Sequence, residues 1–126
     1  MKRIINTNNA PAPIGPYSQA VLAGNFLFVS GQVAIHPSTG ELVLDDIKTE
    51  TKQVMENIKA ILTEAGLGFT DIIKTSIFLK DMQNFAQVNE VYAAYFTDQF
   101  PARETVQVAG LPKNVNVEIT VTAYRP

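Results

Sequence analysis

The final stretch of this chain alternates without interruption. Val115, Val117, Ile119, Val121 and Ala123 are apolar, while Asn116, Glu118, Thr120, Thr122 and Tyr124 fill the positions between them. A period of two sends successive side chains to opposite faces of a strand, so one face suits a dry core and the other does not. Glu118 therefore points away from whatever covers the apolar side. A sheet containing this strand needs helices on one face and leaves the opposite face bare.

The rest of the chain supplies those parts. A short first strand is expected at residues 2–6, followed by Ala10-Pro11-Ala12-Pro13-Ile14-Gly15-Pro16, where three prolines and a glycine forbid regular structure. Residues 17–22 and 26–29 flank Ala23-Gly24-Asn25, a hairpin signal, and Ser30-Gly31-Gln32 ends the second arm. Asp45 or Asp46 caps a helix whose Ile47, Val54, Ile58, Ile61, Leu62 and Ala65 fall on one face, with Gly66 placed to stop it. The run Ile72–Leu79 is β-branched and aromatic, as expected of a well-covered central strand. Asp81 opens a second helix, with Phe85, Val88, Val91, Tyr92, Tyr95 and Phe96 as a core-facing stripe. The last two strands, about 104–109 and 115–124, are expected to be joined by a tight reversal at Gly110-Leu111-Pro112-Lys113-Asn114. This order of three strands, helix, strand, helix and two strands predicts one α+β domain over residues 1–126, with two helices on one face of a six-stranded mixed sheet.

Composition excludes several functions. The absence of cysteine removes disulfides, thiolate nucleophiles and cysteine metal sites, and fits a reducing compartment. The single histidine, His36, lies in a Pro-Gly turn and cannot build a multi-histidine metal cluster, so no metal is expected. Ten Lys and Arg against twelve Asp and Glu give a net charge of -2 with no basic stripe, which argues against a nucleic-acid partner. Neither a signal peptide nor a run of transmembrane length is visible, so a soluble cytoplasmic protein without a membrane partner is expected.

Among the three arginines, Arg3 and Arg125 lie near the ends and Arg103 lies inside Phe100-Pro101-Ala102-Arg103-Glu104-Thr105. A guanidinium offers donors in a planar fork that matches a carboxylate, and Pro101 stiffens the backbone ahead of it. Parity in this strand sends Val106 and Val108 to the core and Arg103, Thr105 and Gln107 to the side of Glu118. Pairing Thr105 opposite Glu118 would set the guanidinium within a diagonal step of the carboxylate. An ordinary ion pair with Glu104 or Glu118 is the alternative use of this arginine.

Six segments then converge on one group. Gly15-Pro16-Tyr17-Ser18-Gln19-Ala20, Val29-Ser30-Gly31-Gln32, Val88-Asn89-Glu90-Val91-Tyr92, Phe100-Pro101-Ala102-Arg103, Val108-Ala109-Gly110-Leu111-Pro112-Lys113 and Val117-Glu118-Ile119 resemble the RidA (YjgF-like) family of enamine/imine deaminases. The resemblance implies a chorismate-mutase-like α+β fold and a homotrimer with a central barrel and clefts between subunits. It also implies hydrolysis of 2-imino acids and enamines, such as 2-aminoacrylate and 2-iminobutanoate, to 2-oxo acids and ammonia without a cofactor. Pyridoxal-phosphate enzymes would thereby be spared damage. By position, Arg103 matches the family's carboxylate-binding arginine and Glu118 the glutamate that orients water. Tyr17, Ser30, Gly31 and Asn89 match residues around the ligand, some of them from the neighbouring subunit. Thr105 stands where a common form of the pattern has cysteine, and its hydroxyl and N–H remain able to bind ligand. A non-catalytic 2-oxo acid sensor and, less favoured, a ribonuclease are the alternative readings.

Overall fold

The computed structural model describes residues 2–126. Strands β1 (Lys2–Ile5), β2 (Ala20–Ala23) and β3 (Phe26–Gln32) form an antiparallel meander. Residues 17–19 lie outside β2, because their backbone closes local contacts instead: Tyr17 N–H donates to the Gly15 carbonyl and Ser30 N–H to the Gln19 carbonyl, each at 2.9 Å. Helix α1 (Ile47–Glu64) starts at Asp46, whose carboxylate accepts from Thr49 N–H at 2.8 Å. That bond holds the Asp46 carboxyl below its ordinary value. The helix stops at Ala65, and the following Gly66 takes φ +76°, a conformation that favours glycine.

Strand β4 (Ile72–Leu79) follows, then a 3-10 turn at Met82–Asn84 and helix α2 (Phe85–Ala93). The second helix is shorter than its apolar stripe suggests. Tyr95 and Phe96 lie beyond its end and pack against Phe69, with ring centroids 5.1 and 5.7 Å away. Strands β5 (Ala102–Gln107) and β6 (Val117–Tyr124) complete a six-stranded mixed sheet in the order β1-β2-β3-β6-β4-β5. Both helices pack on one face, over a core that includes Leu27, Ile58, Ile61, Ile77, Leu79 and Ile119. The opposite face carries Phe26, Phe28 and Tyr124 as an exposed aromatic group.

The expected hairpin between the last two strands is corrected. Strand β4 lies between them, parallel to β5 and antiparallel to β6, so Thr105 pairs with Ile77 and Glu118 with Phe78. Residues 110–114 instead step across β4, with Lys113 and Asn114 at φ +54° and +56°. Face assignment changes with it. Arg103, Thr105 and Gln107 are in register with the buried Thr75, Ile77 and Leu79 and therefore face the helices, whereas Glu104 and Glu118 face the bare side. The misleading residue is Val106: β5 is an edge strand, and this valine is 41 % exposed on the uncovered face.

One buried carboxylate ties the helix layer to β6. Glu50 of α1 is 0 % exposed and accepts from Asn116 N–H at 2.7 Å, Val117 N–H at 3.2 Å and Asn116 Nδ2 at 2.8 Å. Three donors compensate the loss of water around the anion, and removing it would leave them buried without an acceptor. Glu50→Ala is expected to lower unfolding free energy by about 3 kcal/mol, read from urea denaturation. A loss below about 0.5 kcal/mol would mean the network adds nothing net.

Candidate functional site

The residues singled out from sequence fall into two groups on opposite faces of the sheet. On the helix face, Arg103 of β5 lies beside Asn89, Tyr92 and Ala93 of α2, with Phe100 and Pro101, around an open cleft of about 320 Å³. Its Nη1 donates to Asn89 Oδ1 at 2.6 Å. Its Cζ lies 5.6 Å from the Phe85 ring centroid and 5.1 Å from that of Tyr92. Neither Glu104 nor Glu118 is its partner. Glu104 accepts from the Ser76 hydroxyl and pairs with Lys74 at 2.9 Å on the other face. Thr105 sits on the arginine's side of the strand, its buried hydroxyl without a hydrogen-bond partner among the described residues.

On the bare side, Tyr17, Ser30, Gly31 and Glu118 line a second cleft of about 330 Å³, walled by Ile14, Val33, Ile35 and Pro112. Gly31 is required there by close approach. A Cβ at this position would stand 2.5 Å from Glu118 Oε2 and 2.7 Å from its Cδ. The carboxylate is half-buried, and burial alone raises its pKa above the ordinary 4.5. Ser30 donates its hydroxyl proton to the Ser18 carbonyl at 2.6 Å, so toward a ligand it is an acceptor rather than a donor. Tyr17 Oη accepts from Ile14 N–H at 3.2 Å, which leaves its own proton available to donate.

Three residues around the clefts escaped sequence reasoning. Gln19, 2 % exposed, accepts from Thr7 N–H at 2.7 Å and donates to the carbonyls of Thr7, Ala10 and Pro11, at 3.0, 3.3 and 2.9 Å, holding the proline-rich loop against the second cleft. Phe85 and Tyr92 read as core, yet they also flank Arg103. Their spacing from Asn89, four and three residues, was the available signal. Among the described residues, no cluster of His, Asp or Glu could hold a metal ion, and no helix is long and apolar enough to cross a membrane.

The chain is similar to known proteins in sequence and fold. The family model described as endoribonuclease L-PSP matches residues 7–125. The chain belongs to the RidA (YjgF) family. A RutC family protein of Pyrococcus horikoshii is 58 % identical over 125 residues, covering 99 % of both chains. The 2-iminobutanoate/2-iminopropanoate deaminase of Escherichia coli K12 is 48 % identical over 128 residues, again covering 99 % of both. The crystal structure of E. coli TdcF with bound serine superposes with a TM-score of 0.94 at 44 % identity, covering 98 % of this chain and 99 % of that one.

The raised pKa of Glu118 has a consequence for stability. The folded carboxyl keeps its proton to a higher pH than the unfolded one, so the stability contributed by Glu118 is fully present below 4.5 and is lost as pH rises through the folded value. The unfolding free energy of the unaltered protein minus that of Glu118→Gln, read by urea denaturation across about pH 4 to 7, should fall as pH rises. Identical pH slopes for the two proteins would contradict the assignment.

Proposed function

We propose that the protein hydrolyses 2-imino acids and their enamine tautomers to 2-oxo acids and ammonia, at sites assembled between copies of the chain in a cyclic homotrimer. The observation that carries this reading is the division of the site residues. The Arg103 cleft holds a cation with free donors but no acidic group, and the Glu118 cleft holds a carboxylate but no cation. Each half contains what the other lacks. Joining the Arg103 half of one copy to the Glu118 half of another completes a site with both, and the exposed Phe26, Phe28 and Tyr124 offer area for a closed assembly. The E. coli relative named as an imine deaminase and the serine-bound relative support a small ligand bearing carboxylate and nitrogen.

The chemistry follows from positions. Arg103 uses one donor on Asn89 and keeps others for the substrate carboxylate, which fixes the adjacent imine carbon. A protonated imine is already electrophilic, so no cofactor is needed. Water held by Glu118 attacks that carbon: a C–O bond forms, the imine π electrons move to nitrogen, and the water proton passes to the carboxylate. Glu118 returns the proton to nitrogen and, again a carboxylate, takes the hydroxyl proton as the C–N bond breaks, so that ammonia leaves and the neutral carbonyl forms. A pKa raised by burial suits a group that must both take and give a proton. Tyr17 donates to the developing polar centre, and Gly31 leaves the space beside β3 that the carboxylate occupies.

The test is loss of imine generated in place by an amino-acid oxidase. Arg103→Ala and Glu118→Gln should each slow hydrolysis about 100-fold or more with the assembly intact. Co-assembling the two inactive variants should restore activity at about a quarter of the sites, those pairing an intact Arg103 half with an intact Glu118 half. Full activity in Arg103→Ala would sink the mechanism, and absence of recovery on mixing would sink the divided site. Binding of 2-oxobutanoate without turnover by the unaltered protein would favour a metabolite sensor instead.

A further inference from the structure

Helix α2 places Phe85, Asn89 and Tyr92 on one side, and all three meet the same guanidinium. Tyr92 is itself fixed from behind. Its Oη lies 2.9 Å from Thr75 Oγ1 in the core, and Thr75 is the β4 residue paired with Arg103. The contacts therefore close a ring: Arg103 to the Tyr92 face, Tyr92 to Thr75, and Thr75 through the strand pairing back to Arg103. The Phe85 ring, 37 % exposed, is a second aromatic neighbour of the same guanidinium.

We infer that Phe85 and Tyr92 are positioning residues, an aromatic bracket that holds the Arg103 guanidinium in place for its ligand, with Thr75 fixing the Tyr92 ring. The inference rests on reading Arg103 as the carboxylate anchor. An arginine left free would lose its rotamer freedom on binding, whereas one held against two rings has lost it beforehand. Aromatic faces attract the cation without occupying its N–H donors, as an acidic partner would. Asn89 fixes one edge of the fork, and the remaining donors stay available for two parallel hydrogen bonds.

Two measurements on the intact assembly test this. The first is the Nε–Hε resonance of Arg103, separable because the chain has only three arginines and assignable with Arg103→Lys. Ring currents should displace it in the unaltered protein, and Phe85→Leu should move it toward the free position. The second is calorimetric binding of 2-oxobutanoate. Phe85→Leu should weaken it about five-fold, with the kinetic loss falling on KM rather than kcat. Tyr92→Leu should weaken it similarly, while Tyr92→Phe, which keeps the ring, should retain most of the affinity. Should Tyr92→Leu fail to fold, the half-exposed Phe85 still decides the question. Wild-type affinity and an unmoved Arg103 resonance in Phe85→Leu would overturn the bracket. Unchanged 2-oxobutanoate binding in Arg103→Ala, or none in the unaltered protein, would instead overturn the anchor, leaving the resonance to judge the bracket separately.

Discussion

Strand β4 dictates the side on which every candidate residue stands. It alternates between Thr75, Ile77 and Leu79, buried under the helices, and Ser76 and Phe78, turned toward the bare face. Because it pairs along both edges, this alternation passes to both neighbours: Ile77 is opposite Ile119 on one side and Thr105 on the other. A slip of one residue in β5 would exchange Arg103 with Glu104, setting an acid against α2 and the guanidinium beside Lys74. The burial of three β4 side chains thus fixes the place of a charge one strand away.

The polar groups of the second cleft depend on a different constraint, the satisfaction of loop backbone. Residues 7–19 contain few regular hydrogen bonds, so side chains supply them, with Gln19 serving Thr7, Ala10 and Pro11 and Tyr17 serving Ile14. Those obligations set what each group can offer a ligand. Ser30 has already given its proton to Ser18, whereas Tyr17 has received one and can still donate. The same hydroxyl chemistry acquires opposite roles from its local partners.

How much of this was legible in sequence differs by element. The alternation of β6 announced its two faces and the orientation of Glu118, and Asp46 and Gly66 bounded α1 as expected. Strand β5 was legible as a strand but not in its facing or its pairing. Its exposed Val106 suggested the wrong parity, and nothing in Gly110-Leu111-Pro112-Lys113-Asn114 distinguishes a hairpin from a step across an intervening strand. Local pattern encodes which residues share a face but not which partner strand gives that face its environment. The stripe on α2 was visible as an apolar surface. Its contact with Arg103 depended on the parallel pairing of β4 and β5, a relation absent from either segment alone.

Placing Arg103 and Glu118 on opposite faces also resolves an electrostatic conflict. Had they faced one another on one strand pair, as a close hairpin would require, they would attract by about 4 kcal/mol at 4 Å in a surface-like dielectric. A substrate carboxylate would have to displace Glu118 from the guanidinium, and the neighbouring cation would depress the very basicity that proton transfer needs. Separation by the sheet avoids both losses. Arg103 is instead held by neutral partners, an amide and two aromatic rings, and Glu118 lies in a partly apolar cleft that raises its pKa. Within one chain neither group is neutralised by the other. In the proposed assembly, the substrate's own carboxylate would neutralise the cation, so that the acid stays free to handle water.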